Sequence, residues 1–308
     1  MTEVSGDAPP GPLAGLRVVT LAVNVPGPAA AARLRAFGAS VVKVEPLSGD
    51  PLMHQNPAWY RALSTGQEAV RLNLKQPEDF SRLEGYLTGA DLFLSSSRTG
   101  ALARLGLGPD ELRRKYPRLC GVAITGFPSP RGDEPGHDLT YLADHGLLTP
   151  PEMPRSLLAD LAGAERAVSE ALALLLGRER GVDGRGSGHV EVPLSEAAAY
   201  LAEPLRYGIT APGAHLGGGF AGYGLYRASD GWLAVAALEP HFWEKLRKEL
   251  GLEDAGREEL EEVFRQKTAA HWESWAAERD LPVAALKEAP PASASGTDHR
   301  TTTMTEEI

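Results

Sequence analysis

With 308 residues, 43% of them hydrophobic, the chain is long enough to bury a substantial core, and its single cysteine, Cys120, permits neither an intrachain disulfide nor a thiolate metal cluster. Thirty-one Lys and Arg against 41 Asp and Glu leave a formal charge of −10, which argues against nucleic acid or an anionic membrane surface as the main partner. No apolar run reaches the roughly 20 residues of a membrane span and the amino terminus lacks the blocks of a signal peptide, so the expected compartment is the reducing cytoplasm, with no metal site.

After a short arm, "MTEVSGDAPPGPLAG", the segment "GLRVVTLAVNVPGPAAAARLRAFGASVVKVEP" predicts a strand over 17–22, a tight turn at 25–28, an alanine-rich helix and a second strand ending at Glu45. This βαβ unit recurs. "AVRLNL" at 69–74 precedes a helix over 77–87, "DLFLSS" precedes "RTGALARLGL" and "GPDELRRKYP", and "LCGVAITGF" supplies a further strand. Such alternation implies an α/β fold with a mainly parallel sheet covered on both faces, whose ligands bind beyond the carboxyl ends of the strands. A proline-rich loop at 129–135 leads to a short helix from Asp138 and a long one from Asp160. A Gly/Arg-rich turn, "GVDGRGSG", then precedes the strand "HVEVPL" and the apolar helix "SEAAAYLAEPLRYGI".

Composition shifts at "TAPGAHLGGGFAGYG", which divides a large domain, 1–210, from a smaller α+β domain, 211–289. The second begins with a hairpin, "GLYRASDGWLAVAAL", turned at 229–231. Helical patterns follow over 241–250, 257–266 and 269–279, the last capped by Thr268, and "LPVAAL" offers one more strand. Residues 290–308, rich in Ser, Thr and Pro, bury too little apolar surface to order themselves and are expected to form a disordered tail.

Four features bear on chemistry. The helix start after 23–28 suits an anion, but Pro28 removes a donor and the dinucleotide pattern G-x-G-x-x-G is missing, so Glu45 at the end of the second strand reflects sheet topology rather than nicotinamide binding. In "GHDLTYL", His137 follows a glycine and precedes a helix capped by Asp138; a helix amino terminus keeps an adjacent imidazole neutral and able to take a proton, although a surface histidine fits the pattern too. Asp160 in "LLADLAG" reads as the N-cap of the long helix, with one carboxylate oxygen left to face a cleft. The glycine-rich run is either a linker or a loop closing over a ligand, and Glu239, at the end of an apolar strand, is a carboxylate that needs a partner or a task.

Taken together, "LAGLRVVTLAVNVPGPAAAARLRAFGASVVKVE", "PGHDLTYL", "LLADLAG", "LGGGFAGYGLYRASDGWLAVAALEPHFW" and "FRQKTAAHWESW" resemble, in order and spacing, the family III CoA-transferase superfamily. The α-methylacyl-CoA racemase branch is the most similar, over about Leu13 to Lys287. The resemblance implies a large Rossmann-like domain, a smaller domain, an interlocked homodimer, an acyl-CoA substrate and no cofactor beyond the CoA of the thioester. It makes Asp160 the residue shared by two activities: acylated to a mixed anhydride in the transferases, and an acid/base group in the racemases. The second racemase group is the histidine of a Gly-His-Asp triplet, here His137, and Glu239 matches a carboxylate that would orient it. The two groups would flank a planar enolate, with each helix start helping to hold its negative oxygen.

Arg98 in "SSSRTG" matches an arginine that holds the CoA nucleotide. Basic residues of the family are replaced by Pro46, Gln67 and Glu68, for which Arg71 is a candidate substitute. The racemases' "DGGAP" becomes Gly217, Gly218, Gly219, Phe220 and Ala221, a small residue becomes His145, and the chain stops soon after Lys287, where relatives continue with a segment returning to the large domain. The expected activity is racemase/epimerase, by α-proton transfer on a 2-methylacyl-CoA. The alternatives are CoA transfer between carboxylates through an aspartyl anhydride and, given the lost basic residues, a catalytically weakened paralogue serving as a binding or dimer-partner subunit.

Overall fold

The computed structural model describes residues 11–181, 188–252 and 256–288. The outer part of the amino-terminal arm, most of the Gly/Arg-rich turn and the tail from 290 lie outside the described residues. The chain forms two compact units, Met1–Glu203 and Pro204–Ile308.

The first unit runs β1 (Arg17–Thr20), α1 (Pro26–Ala36), β2 (Ser40–Glu45), α2 (Pro51–Gln55), α3 (Pro57–Ser64), β3 (Glu68–Arg71), α4 (Pro77–Thr88), β4 (Leu92–Ser95), α5 (Thr99–Arg104), α6 (Pro109–Lys115), β5 (Cys120–Thr125), α7 (Asp138–Asp144), α8 (Leu158–Glu179), β6 (His189–Pro193) and α9 (Leu194–Leu201). The six strands are all parallel, in the order β3-β2-β1-β4-β5-β6. This is the doubly wound Rossmann order. The interior strands β4 and β5 are buried along their whole length, whereas β3, at an edge, carries the exposed charges Glu68 and Arg71. Neighbouring residues of one strand serve opposite faces: Val18, Leu92 and Leu94 join α1, α7 and α8 in one core, while Val19 and Phe93 join Leu83, Leu87 and Leu112 in the other. Helices α1, α2, α3, α4 and α6 each begin with proline, where its missing N–H costs nothing and its fixed φ suits the first turn.

At the carboxyl end of β2 three charges leave water together: Lys43, Glu45 and Asp50 are each at most 2% exposed. The Lys43 ammonium lies 3.0 Å from Glu45 Oε1 and 2.5 Å from Asp50 Oδ2, beneath the Tyr60 ring at 4.7 Å. The Tyr60 hydroxyl donates to Glu45 at 2.8 Å. The other oxygen of Asp50 accepts the N–H groups of Asn24 and Leu52, both at 2.9 Å. Asn24 has φ of 68°, a left-handed conformation costly for a side chain, and the bond to Asp50 holds it there. Glu45 is therefore consumed within the protein. The network ties the loop after β1 to the loop after β2.

In the second unit, beginning within α10 (Glu203–Arg206), the strands β7 (Tyr223–Arg227), β8 (Trp232–Ala236) and β9 (Val283–Ala285) form an antiparallel sheet in the order β7-β8-β9. With α11 (Pro240–Leu250), α12 (Arg257–Phe264) and α13 (Ala269–Ala277) they enclose Tyr226, Leu233, Leu246, Phe264 and Trp272. Thr268 caps α13 as expected, accepting the His271 N–H at 3.2 Å. The glycine-rich run is folded: His215–Gly219 form one turn, and a Cβ on Gly217 would stand 1.8 Å from the Ala211 carbonyl oxygen.

Replacing Lys43 with Met leaves two buried carboxylates without their cation. Its stability in urea denaturation is expected to fall by about 3–5 kcal/mol, the usual penalty for breaking a buried pair on one side.

Candidate active site

The strand order of the first unit reverses between β1 and β4, so the loops after these strands part and leave a crevice at the carboxyl edge. A cavity of about 490 Å³ lies there, walled by Val23–Pro26 after β1, Ser96–Arg98 after β4, Thr125 and Gly126 at the end of β5, and the starts of α7 and α8. The Val23 N–H donates to Ser96 Oγ at 3.1 Å, fastening the two parted loops to each other. His137, Asp160 and Arg98 all line this cavity. Residues 23 apart in sequence are thus brought to one wall by the packing of α7 on α8.

His137 is the N-cap of α7, and Asp138 is the first helical residue rather than the cap. The His137 N–H donates to the Thr140 hydroxyl at 3.0 Å, and that hydroxyl donates back to the His137 carbonyl at 2.8 Å. Backbone and threonine thereby set the position of an exposed histidine on the cavity rim. The preceding glycine has a steric cause. A Cβ on Gly136 would stand 2.5 Å from Tyr141 Cε1, and one on Gly126 would stand 2.5 Å from the Tyr141 hydroxyl oxygen. Tyr141 is 1% exposed and packs edge-on against Phe127, centroids 5.3 Å apart. Burial, with Asp160 and Asp138 nearby, pushes its hydroxyl up to about 12.

Asp160 is the third residue of α8, whose N-cap is Leu157. Its own backbone N–H is capped from elsewhere: Asp138 Oδ1 accepts it at 3.0 Å, across 22 residues. Both N-cap expectations therefore shift, because the orphan amide of α8 found its acceptor on another helix. That amide is consequently unavailable to an enolate oxygen. Removal of the Asp160 carboxyl from water, and secondarily the charge of Asp138, push it up from 3.8 to about 7. A carboxyl so placed both gives and takes a proton near neutrality.

Arg98, the N-cap of α5, is exposed on the cavity wall and makes no ion pair among the described residues. Arg71 stands outside that wall, its Nε 4.0 Å from Glu45 and its Nη2 3.6 Å from Met53 Sδ. Gln67 donates to the Leu63 carbonyl at 2.7 Å, and Glu68 accepts from the Tyr86 hydroxyl at 3.4 Å. Glu239 belongs to the second unit, where it is the N-cap of α11 and is exposed rather than buried; its carbonyl, not its carboxylate, accepts the N–H groups of Phe242 and Trp243 at 3.0 Å. Thr125 and Tyr141, which no sequence pattern marks, line the site beside Asp138 and beside Asn24 of the turn after β1. Of these, the Thr125 hydroxyl is buried and finds no partner among the described residues. No cluster of three or more His, Cys, Asp or Glu suited to a metal occurs among the described residues, and no helix there is long and apolar enough to cross a membrane.

The CoA-transferase family III model matches residues 13–306. The chain belongs to this family. Relatives of this family III member include the α-methylacyl-CoA racemases of Mus musculus and Homo sapiens, 31% and 32% identical over 84% of this chain and 74% of theirs. They also include a (R)-2-hydroxy-4-methylpentanoate CoA-transferase of Clostridioides difficile, 26% identical over 88% of this chain and 78% of that one. A crystal structure of a hypothetical protein from Mycobacterium tuberculosis superposes with a TM-score of 0.79 at 27% identity, covering 91% of this chain and 86% of that one. The family III member is an enzyme, as these racemases and transferases are.

Two outcomes follow from the geometry. Asp160 holds its proton to higher pH folded than unfolded, so the folded state binds more protons between 3.8 and about 7 and loses stability as pH rises through that window. Asp160→Asn, which cannot ionise, should therefore melt above the parent at about pH 8 and level with it at about pH 4, as read by calorimetry. Gly136→Ala must displace Tyr141 and should cost about 1–3 kcal/mol in urea unfolding.

Proposed function

We propose that this enzyme inverts the α-carbon of a 2-methylacyl-CoA by passing its proton between His137 and Asp160. The observation that carries the reading is the presence, on the wall of one cavity, of the His137 imidazole and of the Asp160 carboxyl, the latter raised to about 7. One group takes the α-proton; the C–H electron pair moves into the thioester and leaves a planar enolate; the other group returns a proton to the opposite face. In one direction His137 starts neutral and Asp160 protonated, and in the other these states are exchanged. Acid/base work is favoured over nucleophilic attack because a carboxyl raised to about 7 is partly protonated at neutral pH, and only its anion is a nucleophile.

Arg98 would take the phosphates of CoA from the same cavity wall, with Arg71 at the neighbouring sheet edge. Glu239 would be the carboxylate that orients the histidine, as the family resemblance implies, and the working form would be a cytoplasmic homodimer, interlocked as in the family. The racemases among its relatives support this reading. CoA transfer through an Asp160 anhydride is the second reading, supported by the transferases among them. The third reading, a weakened binding or dimer-partner paralogue, draws on Gln67 and Glu68, which contact only their own neighbourhood.

Incubation of a 2-methylacyl-CoA in deuterated water should exchange its α-proton, and both His137→Ala and Asp160→Asn should slow that exchange by roughly 10²–10⁴-fold. Hydroxylamine trapping of an acylated Asp160 that is indifferent to His137→Ala would instead select the transferase reading. Absence of CoA-ester binding in titration calorimetry would sink both enzyme readings and leave the paralogue.

A further inference from the structure

Asp138 is the first residue of α7 and only 5% exposed, yet its carboxylate serves another helix. Its Oδ1 accepts the Asp160 N–H at 3.0 Å, and both residues line the cavity. An orphan amino-terminal N–H of a helix that meets a carboxylate oxygen is satisfied by a charge-assisted bond, with the helix dipole acting in the same direction. Asp138 thereby lies against the first turn of α8, which bears the Asp160 carboxyl, and two neighbouring carboxylates resist a second negative charge.

The other groups around α8 do not supply this effect. From α7 come Tyr141 and, at its amino end, His137, while Asp144 is its last residue and is not part of the cavity wall. Arg33 of α1 lies 3.7 Å from Glu165, and Glu196 of α9 lies 3.1 Å from Arg166, both more than a turn beyond Asp160. From β5 comes only the Cys120 thiol; from β6 come His189, in register with Gly121 at the opposite end of the sheet, and Glu191, in register with Ala123. On the cavity wall, Arg98 is the cation, and Glu134 is engaged by Arg131 at 2.7 Å.

We propose that Asp138 is a positioning residue for Asp160, fixing its turn through the amide and, as a neighbouring anion, holding it as the protonated member of the pair. The proposal rests on Asp160 being an acid/base group. It assigns a task to the third residue of "GHD" that is separate from binding substrate. Asp138→Asn isolates that task, since a side-chain amide oxygen still accepts the Asp160 N–H but carries no charge.

The test is a carboxyl-carbon NMR titration of the full chain labelled at aspartate, with the Asp160 resonance assigned by its loss in Asp160→Asn. In Asp138→Asn the Asp160 midpoint should fall by about one pH unit or more, roughly a tenfold loss of proton affinity. Asp138→Ser is the second chargeless variant and should move the midpoint the same way should the asparagine variant fail to fold. The alkaline limb of the α-proton exchange profile should move to lower pH by the same amount. A purely structural Asp138 would leave both midpoint and limb in place in a folded chargeless variant, and that result overturns the proposal. If the parent enzyme exchanges no α-proton at all, the racemase reading fails, while the titration still decides the role of Asp138.

Discussion

The site depends on the direction of the sheet. Six parallel strands deliver every carboxyl end to one edge, and the reversal of order between β1 and β4 parts two loops there. Nothing else in the first unit would bring Asn24, Arg98, Thr125, His137 and Asp160, taken from five separate segments, to one cavity. The parted loops still have to be held. Ser96 holds Val23 and Asp50 holds Asn24, so the crevice stays open while its rim is fixed by hydrogen bonds.

Two sets of buried charge stand near that edge, and they are built on opposite principles. Lys43, Glu45 and Asp50 neutralise one another to a large extent; Glu45 also accepts from Tyr60, Asp50 accepts from Asn24 and Leu52, and Lys43 lies beneath the Tyr60 ring. Such a network resists change because every group is satisfied. Asp138 and Asp160 carry like charge with no cation bonded to either among the described residues, and the cost appears as a carboxyl held near 7. Frustration of this kind is tolerated where a proton has to move, and the cavity is where it occurs.

Much of this was legible in residue patterns. Alternation of buried runs with helices announced the parallel sheet, because strands covered on both faces need apolar residues at every position, as in β4 and β5. Thr268 is legible as a cap because its bond spans three residues. The same rule makes Asp138 and Asp160 caps of their own helices, and it fails there because the acceptor for the Asp160 amide lies 22 residues away on another helix. The apolar surroundings of Glu239 in sequence suggest a buried charge; it is exposed, since it follows the strand and starts a helix rather than lying within the core. The need for glycine at 136 comes from the Tyr141 ring, which occupies the space of a Cβ there and is held in place by its burial against Phe127.

The sequence by itself determined the alternation of strands and helices outside 51–64, where α2 and α3 carry no clear pattern, and the parallel α/β class, because hydrophobic period and turn residues are local properties of a chain. The pairing of His137 with Asp160 as candidates came from the family resemblance of the ordered motifs. Tertiary structure alone decided that Arg98 faces the cavity while Arg71 turns to Glu45, that Glu45 is consumed by Lys43, and that Asp138 holds the turn bearing Asp160. Burial and proximity between distant segments set those outcomes. A carboxyl acquires its proton affinity from what packs around it, and that exists only once α7 has docked on α8.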